Sequence, residues 1–228
     1  MLGVRTCNTL LNCLRHYLTA LTISNMFPLY DESKIQGYTP WITILIISAN
    51  LICFLFSLAN LQDTLAKFAF VPDSFFQQKD FLPLFSSMFL HGGFGHLFGN
   101  MWFLWIFGNN LEKNLGRIKF LIFYILCGIG ATLFYAIFTE NPSIPIIGAS
   151  GAVSGILGGY FNRFPKNQIK TLIPGFFIFY IISIPAILFG GIWFFYQFLS
   201  LGSSLNIAFL AHIGGFLIGI ALMRSFRG

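Results

Sequence analysis

The chain has 228 residues, of which 56% are apolar and 18% aromatic, while only 9% carry a charge. A soluble domain has roughly 25% charged residues, so this composition excludes an ordinary soluble protein and indicates a multi-pass membrane protein. The net charge of +6 does not indicate nucleic-acid binding, because its distribution along the chain is better explained by membrane topology and anionic lipid headgroups.

Residues 1–25 fit poorly with the rest of the chain. Arg5, Arg15 and scattered leucines are compatible with an amphipathic helix at the membrane interface. Alternatively, this stretch results from an upstream start codon, because residues 26–31 read like the beginning of a protein. We slightly favour the second interpretation and treat residues 26–228 as the membrane domain.

Charged residues divide the remaining sequence into apolar windows. A membrane-spanning helix needs about 20 apolar residues, so four windows fit one helix each. The last window has room for two helices, separated by the small polar residues 200–204. The sequence therefore predicts an all-α integral membrane fold with six transmembrane helices, at 40–60, 92–110, 118–139, 148–163, 182–200 and 206–224.

Basic residues are concentrated on one side of this topology, eleven against two, and cytoplasmic flanks carry the Lys/Arg excess. Both termini are therefore predicted in the cytoplasm, and residues 60–90 form a long external loop. The eleven are Arg5, Arg15, Lys34, Lys113, Arg117, Lys119, Arg163, Lys166, Lys170, Arg224 and Arg227, and the two are Lys67 and Lys79.

Two polar residues stand out within the second predicted helix. His96 and Asn100 are four residues apart and share one face of the second helix, where polar groups are costly and by default functional. They could also be polar contacts between helices. His91, just outside this helix, is better interpreted as an anchor for the loop than as a catalyst.

Small residues repeat every four positions in the fourth and sixth helices. Such repeats allow close helix packing, so they predict that Ser150 and His212 lie within hydrogen-bond distance. Packing by small residues with an incidental serine is the structural alternative. The repeats are Gly151, Gly155 and Gly159 in the fourth helix, and Ala211, Gly215 and Gly219 in the sixth.

All seven acidic residues fall outside the predicted helices, which excludes an aspartyl protease, and no His-Glu-x-x-His zinc motif occurs. What remains is a serine activated by a histidine without a carboxylate, a catalytic dyad. An oxyanion could be stabilised by His96, Asn100 and the backbone N–H of Ser150.

Three motifs in this order resemble those of the rhomboid family of intramembrane serine proteases. They are His-x4-His-x3-Asn at 91–100, Gly-x-Ser-Gly at 148–151, and Ala-His-x-Gly-Gly-x3-Gly at 211–219. The resemblance implies that Ser150 is the nucleophile, His212 the general base, and His96 and Asn100 the oxyanion stabilisers.

It further implies an integral, multi-pass protein, assigned here to a bacterial inner membrane, that cleaves single-span membrane proteins near the outer boundary of the bilayer without cofactor or metal. The alternative is a proteolytically silent rhomboid-like chaperone or adaptor that binds transmembrane segments. The oligomeric state is not indicated by the sequence. Two positions depart from the family pattern: Leu82-Pro83 replaces a Trp-Arg pair, and Ser154 replaces an aromatic residue that stacks on the catalytic histidine in some members.

Overall fold

The computed structural model describes residues 26–33, 37–174, 178–201 and 208–226, so the predictions for residues 1–25 lie outside the described residues. The described part of the chain forms a helical bundle and one small sheet. Its helices are α1 (Trp41–Ser57), α2 (Leu61–Phe68), α3 (Pro72–Gln78), α4 (Leu82–Ser86), α5 (Phe94–Leu115), α6 (Arg117–Phe138), α7 (Ser150–Arg163), α8 (Ala186–Leu199) and α9 (Phe209–Ser225), and its strands are β1 (Phe27–Asp31), β2 (Gln168–Pro174) and β3 (Phe179–Pro185).

Six of these helices, α1 and α5 to α9, occupy the positions of the six predicted transmembrane segments. Within the described residues, one of them, α6, is long and apolar enough by itself to cross a bilayer, and α1, α8 and α9 are apolar but shorter. The bundle is built around α7, which contacts α5, α6, α8 and α9 and buries nearly all of its length. Ser150 is therefore the first residue of the central helix.

The three strands form one antiparallel sheet in the order β1-β2-β3, which departs from the all-α prediction. Strands β2 and β3 are rich in isoleucine, and each ends at a proline, Pro174 or Pro185. Pro185 also delays the fifth predicted transmembrane helix, because α8 begins only at Ala186. The sheet was not predictable locally, since β1 pairs with β2 across well over a hundred residues, Phe27 opposite Leu172.

The sheet is attached to the end of the bundle opposite Ser150. The carboxylate of Asp31, the last residue of β1, accepts hydrogen bonds from the side chains of Asn110 in α5 and Tyr160 in α7. The amide of Asn167 donates to the same carboxylate at 3.3 Å. One acidic residue thus connects the first strand to the carboxyl ends of two core helices.

A second acidic residue, Glu112, is fully buried and lies within α5, because this helix extends beyond the second predicted segment at 92–110. Helix α5 continues past residue 110 and ends at Leu115 before Gly116, which has a φ of +80°. The Glu112 carboxylate accepts hydrogen bonds from the backbone N–H groups of Ile42 and Thr43, at 3.1 and 2.8 Å. It therefore caps the positive end of α1.

The predicted external loop, residues 60–90, is largely helical, because it contains α2, α3 and α4. This segment contacts the residues that precede Ser150. The backbone N–H of Phe70 bonds the carbonyl of Ile146, and the N–H of Gly148 bonds the carbonyl of Ser87 at 2.9 Å. The loop is thus a support for the stretch that leads into α7.

Candidate active site

The stretch before Ser150 makes a turn that depends on glycine. Gly148 has a φ of +117°, in the left-handed region that other residues rarely adopt. A Cβ at this position would lie 2.7 Å from Nε2 of His96 and 3.7 Å from Oγ of Ser150. Because Gly148 has no side chain, there is room for His96 and Ser150, whose side chains both lie within 4 Å of the position that a Cβ would occupy.

Helices α7 and α9 pack with almost no side chain between them. A Cβ on Gly215 would lie 2.1 Å from the carbonyl oxygen of Gly151, and one on Gly219 would lie 2.0 Å from that of Gly155. Gly158, which the predicted repeat does not include, makes a similarly close approach to Phe216. This packing brings together the helix segments that begin with Ser150 and contain His212.

The second predicted pair lies in the first turns of α5. Asn100 is buried, 8% exposed, and its Nδ2 donates to the carbonyl of His96 at 3.0 Å. The side chain of His96 is exposed. The structure thus gathers residues from α5, α7 and α9 at one end of the bundle.

His91 lies beside this group but contacts the backbone. Its ring is fully buried, 5.0 Å from the His96 ring between centroids, and its Nε2 lies 3.5 Å from the N–H of Ala149. Burial, with a smaller contribution from His96, lowers the pKa of His91 to about 4. The ring is therefore neutral at pH 7 and available as an acceptor for the backbone next to Ser150.

The base candidate His212 has neighbours from α8 that sequence reasoning missed. Its Nδ1 lies 2.9 Å from Oε1 of Gln197, a residue that is only 3% exposed. The ring of Trp193, one turn earlier, lies 6.1 Å from the imidazole between centroids and is inclined by 31°. A signal was present in the sequence, because Gln197 is a polar residue in an otherwise apolar helix.

A small cavity of about 20 Å³ borders the nucleophile candidate. It is large enough for one water molecule, and the residues that line it include Ser87, Thr132 and Ser150, which carry hydroxyl groups. The glycine residues 128, 148 and 151 line the same space. A water molecule could therefore reside next to Ser150 within the bundle.

The two departures from the family pattern have structural counterparts. Ser154 is buried and its Oγ donates to the carbonyl of Ser150 at 2.7 Å, so its hydroxyl bonds its own helix. Among the described residues, the aromatic neighbours of His212 are Trp193 of α8 and Phe209 of α9 instead of residue 154. Leu82 and Pro83 form the first turn of α4, a segment that is absent from the predicted elements.

The arrangement offers a hydroxyl at a helix N-terminus, an imidazole, and a second imidazole and an amide on a neighbouring helix. The first N–H groups of a helix have no intrahelical partner and carry partial positive charge, so they suit a developing oxyanion. A carboxylate partner for His212 is absent among the described residues, because its Nδ1 faces the neutral amide of Gln197. The donor set suits nucleophilic acyl transfer.

Comparison with known proteins places this arrangement in a family. Residues 78–227 match the family described as "Rhomboid domain". The chain is 32% identical over 145 residues to RHOMBOID-like protein 4 of Arabidopsis thaliana, and 28% identical over 161 residues to rhomboid protease GluP of Bacillus subtilis. It is 33% identical over 84 residues to a protein named Inactive RHOMBOID-like protein 8, also from Arabidopsis.

These alignments cover 61%, 68% and 37% of this chain, and 32%, 31% and 23% of the respective relatives. The chain thus spans about a third of the length of the first two. The relatives come from a plant and a bacterium alike, so they do not support the assignment to a bacterial inner membrane. The family match includes both predicted dyad residues and the helices that carry them. The chain therefore belongs to the rhomboid family.

Proposed function

We propose that this chain is an intramembrane serine endopeptidase in which Ser150 and His212 form a catalytic dyad. The observation that carries the proposal is the glycine contact between α7 and α9, which leaves the helix segments of these two residues adjacent. The proposed substrates are single-span membrane proteins, cleaved near the external boundary of the bilayer. The six helices α1 and α5 to α9 are proposed to span the membrane, with both termini in the cytoplasm.

In the first step, His212 removes the proton from the Ser150 hydroxyl, and Oγ attacks the carbonyl carbon of the scissile peptide bond. A serine hydroxyl is a weak nucleophile until a base takes its proton. The same imidazole then donates the proton to the leaving amine, as in other histidine-assisted acyl transfers. The product of this half-reaction is an ester between Ser150 and the amino-terminal part of the substrate.

The negative charge that develops on the carbonyl oxygen needs hydrogen-bond donors. We assign this role to the backbone N–H of Ser150, the ring of His96 and the amide of Asn100. One hydrogen of the Asn100 Nδ2 is used by the carbonyl of His96, and the second is free to reach the oxyanion. His96 meets the requirement of proximity, because its Nε2 and the Ser150 Oγ flank the same point beside Gly148.

Hydrolysis of the ester requires a water molecule inside the bundle. The cavity beside Ser150 has room for one, and Ser87 and Thr132 supply polar atoms that can hold it. As this water attacks the ester carbon, His212 takes one of its protons. The protonated His212 then donates a proton to Ser150 Oγ, which leaves the carbonyl carbon. The cycle needs no metal or cofactor.

The test is cleavage of a fluorogenic single-span substrate by the purified chain in proteoliposomes. Ser150→Ala and His212→Ala are expected to reduce the rate to background. The matched control is Ser57→Ala, because Ser57 is also buried and, within the part of the chain that the structure describes, its Oγ bonds only the carbonyl of Phe54 in its own helix. Equal cleavage by the wild type and the two dyad variants would contradict the proposal.

A second measurement separates a protease from a silent relative that binds transmembrane segments, a possibility that the similarity to an inactive relative raises. An organophosphorus fluoride probe phosphonylates activated serines, forming an Oγ–P bond with loss of fluoride. We expect one probe per chain at Ser150 and none in His212→Ala. Binding of the substrate segment without cleavage or labelling would identify an adaptor instead.

A further inference from the structure

We propose that Gln197 is the positioning residue of the catalytic base: its side-chain oxygen accepts the hydrogen of His212 Nδ1 and thereby leaves Nε2 unprotonated for the reaction. The inference rests on the proposed function, because it concerns the base of that dyad. It assigns a specific task to α8.

The orientation of the Gln197 amide follows from its two contacts. Its Nε2 donates to the carbonyl of Trp193 at 3.1 Å, and its Oε1 lies 2.9 Å from Nδ1 of His212. Rotating the amide by 180° would place its oxygen against the Trp193 carbonyl, which has no hydrogen to donate. The oxygen therefore faces His212, and the buried site leaves little room for other rotamers.

An oxygen acceptor at this distance requires a hydrogen on Nδ1. A neutral imidazole carries one ring hydrogen, so the partner of one nitrogen decides the state of the other. With Nδ1 protonated, Nε2 has a lone pair and can act as a general base. A carboxylate performs this task in the Ser-His-Asp triad, where it also stabilises the imidazolium. The neutral amide of Gln197 favours the tautomer with the hydrogen on Nδ1, but it has no negative charge to stabilise the imidazolium.

Aromatic side chains of α8 and α9 lie next to the ring of His212. Trp193 lies beside the imidazole and stacks on Phe216 of α9, with ring centroids 5.9 Å apart. Phe209 of α9 meets the imidazole edge to face, with ring centroids 6.1 Å apart. Ser154 of α7 contributes no ring and bonds the Ser150 carbonyl. Among the described residues, support for the base therefore comes from α8 and α9.

The first test replaces Gln197 by methionine, which has a similar volume and no oxygen. We expect Gln197→Met to lower kcat by about 10- to 100-fold with KM unchanged, a smaller loss than the roughly 10⁴-fold caused by removal of the triad carboxylate. Gln197→Glu restores an oxygen acceptor and should recover most of this loss. The matched control is Gln168→Met, because among the described residues the Gln168 amide bonds only the carbonyl of Lys166, so it should tolerate the change.

The second test measures the tautomer directly by ¹⁵N NMR of histidine-labelled protein, with the His212 signals assigned by their loss in His212→Ala. We expect the hydrogen on Nδ1 in the wild type and on Nε2, or exchanging between both, in Gln197→Met. A wild type with the hydrogen on Nε2 of His212, or an unchanged kcat in Gln197→Met, would overturn the inference. If the wild type cleaves no substrate, the proposed function fails, and the NMR result still decides the role of Gln197.

Discussion

Gly215 of α9 provides the sharpest test of the contact on which the proposed dyad depends. A Cβ on this residue would lie 2.1 Å from the carbonyl oxygen of Gly151, a backbone atom that cannot rotate away. Side-chain carbons essentially never approach other atoms to less than 3.0 Å. Gly215→Ala must therefore separate α7 and α9 by about 1 Å, and such a displacement of catalytic groups can reduce a rate by about 100-fold.

The assay combines initial rates on the fluorogenic substrate with thermal unfolding of the purified variant. We expect kcat to fall by about 100-fold and the free energy of unfolding to decrease by about 1–3 kcal/mol, the usual effect of overpacking. The control is Gly191→Ala in α8, where a Cβ would have no neighbour within 4 Å among the residues that the structure describes. There alanine should stabilise the helix by up to about 1 kcal/mol.

Two outcomes would refute this reasoning. The first is a Gly215→Ala variant with wild-type activity and stability, because the close contact would then be absent or irrelevant. The second is an equal loss of activity in Gly191→Ala, because the effect would then come from any added methyl group in the apolar helices. A loss of activity in Gly215→Ala alone would support the contact between α7 and α9.

Gly148 and Glu112 are each expected to respond strongly to one substitution. Gly148→Ala adds a methyl group 2.7 Å from His96 Nε2 at a φ of +117°, so it should reduce kcat by about 100-fold. The control is Gly99→Ala, which should keep the wild-type rate because the added Cβ has no described neighbour within 4 Å. Wild-type rates in both variants would contradict the placement of His96. Glu112→Gln should reduce the free energy of unfolding by about 2–4 kcal/mol, because an amide cannot accept all the hydrogen bonds from Tyr38, Ile42 and Thr43. The control is the exposed Glu140→Gln, and equal stability of the two variants in chemical denaturation would show that the Glu112 cap is dispensable.

The positions of the six main helices could be predicted from the sequence alone, because long apolar windows and four-residue repeats are local patterns. Gly151, Gly155, Gly215 and Gly219 show this directly, since their spacing indicated the face on which α7 and α9 meet. The order of the three motifs along the sequence likewise indicates the family. These features depend on residues a few positions apart, and residues three or four positions apart lie on the same face of a helix.

Only the tertiary structure decided the contacts between distant parts of the chain. The sheet joins residues 27–31 to residues 168–174 and 179–185, and Glu112 caps a helix that begins some seventy residues earlier. Neither pairing leaves a local pattern. Gln197 is visible in the sequence as a polar residue in an apolar helix, yet its partner is not. The identity of that partner depends on how α8 lies against α9, so the environment of His212 is set by the packing of helices and not by the motif that contains it.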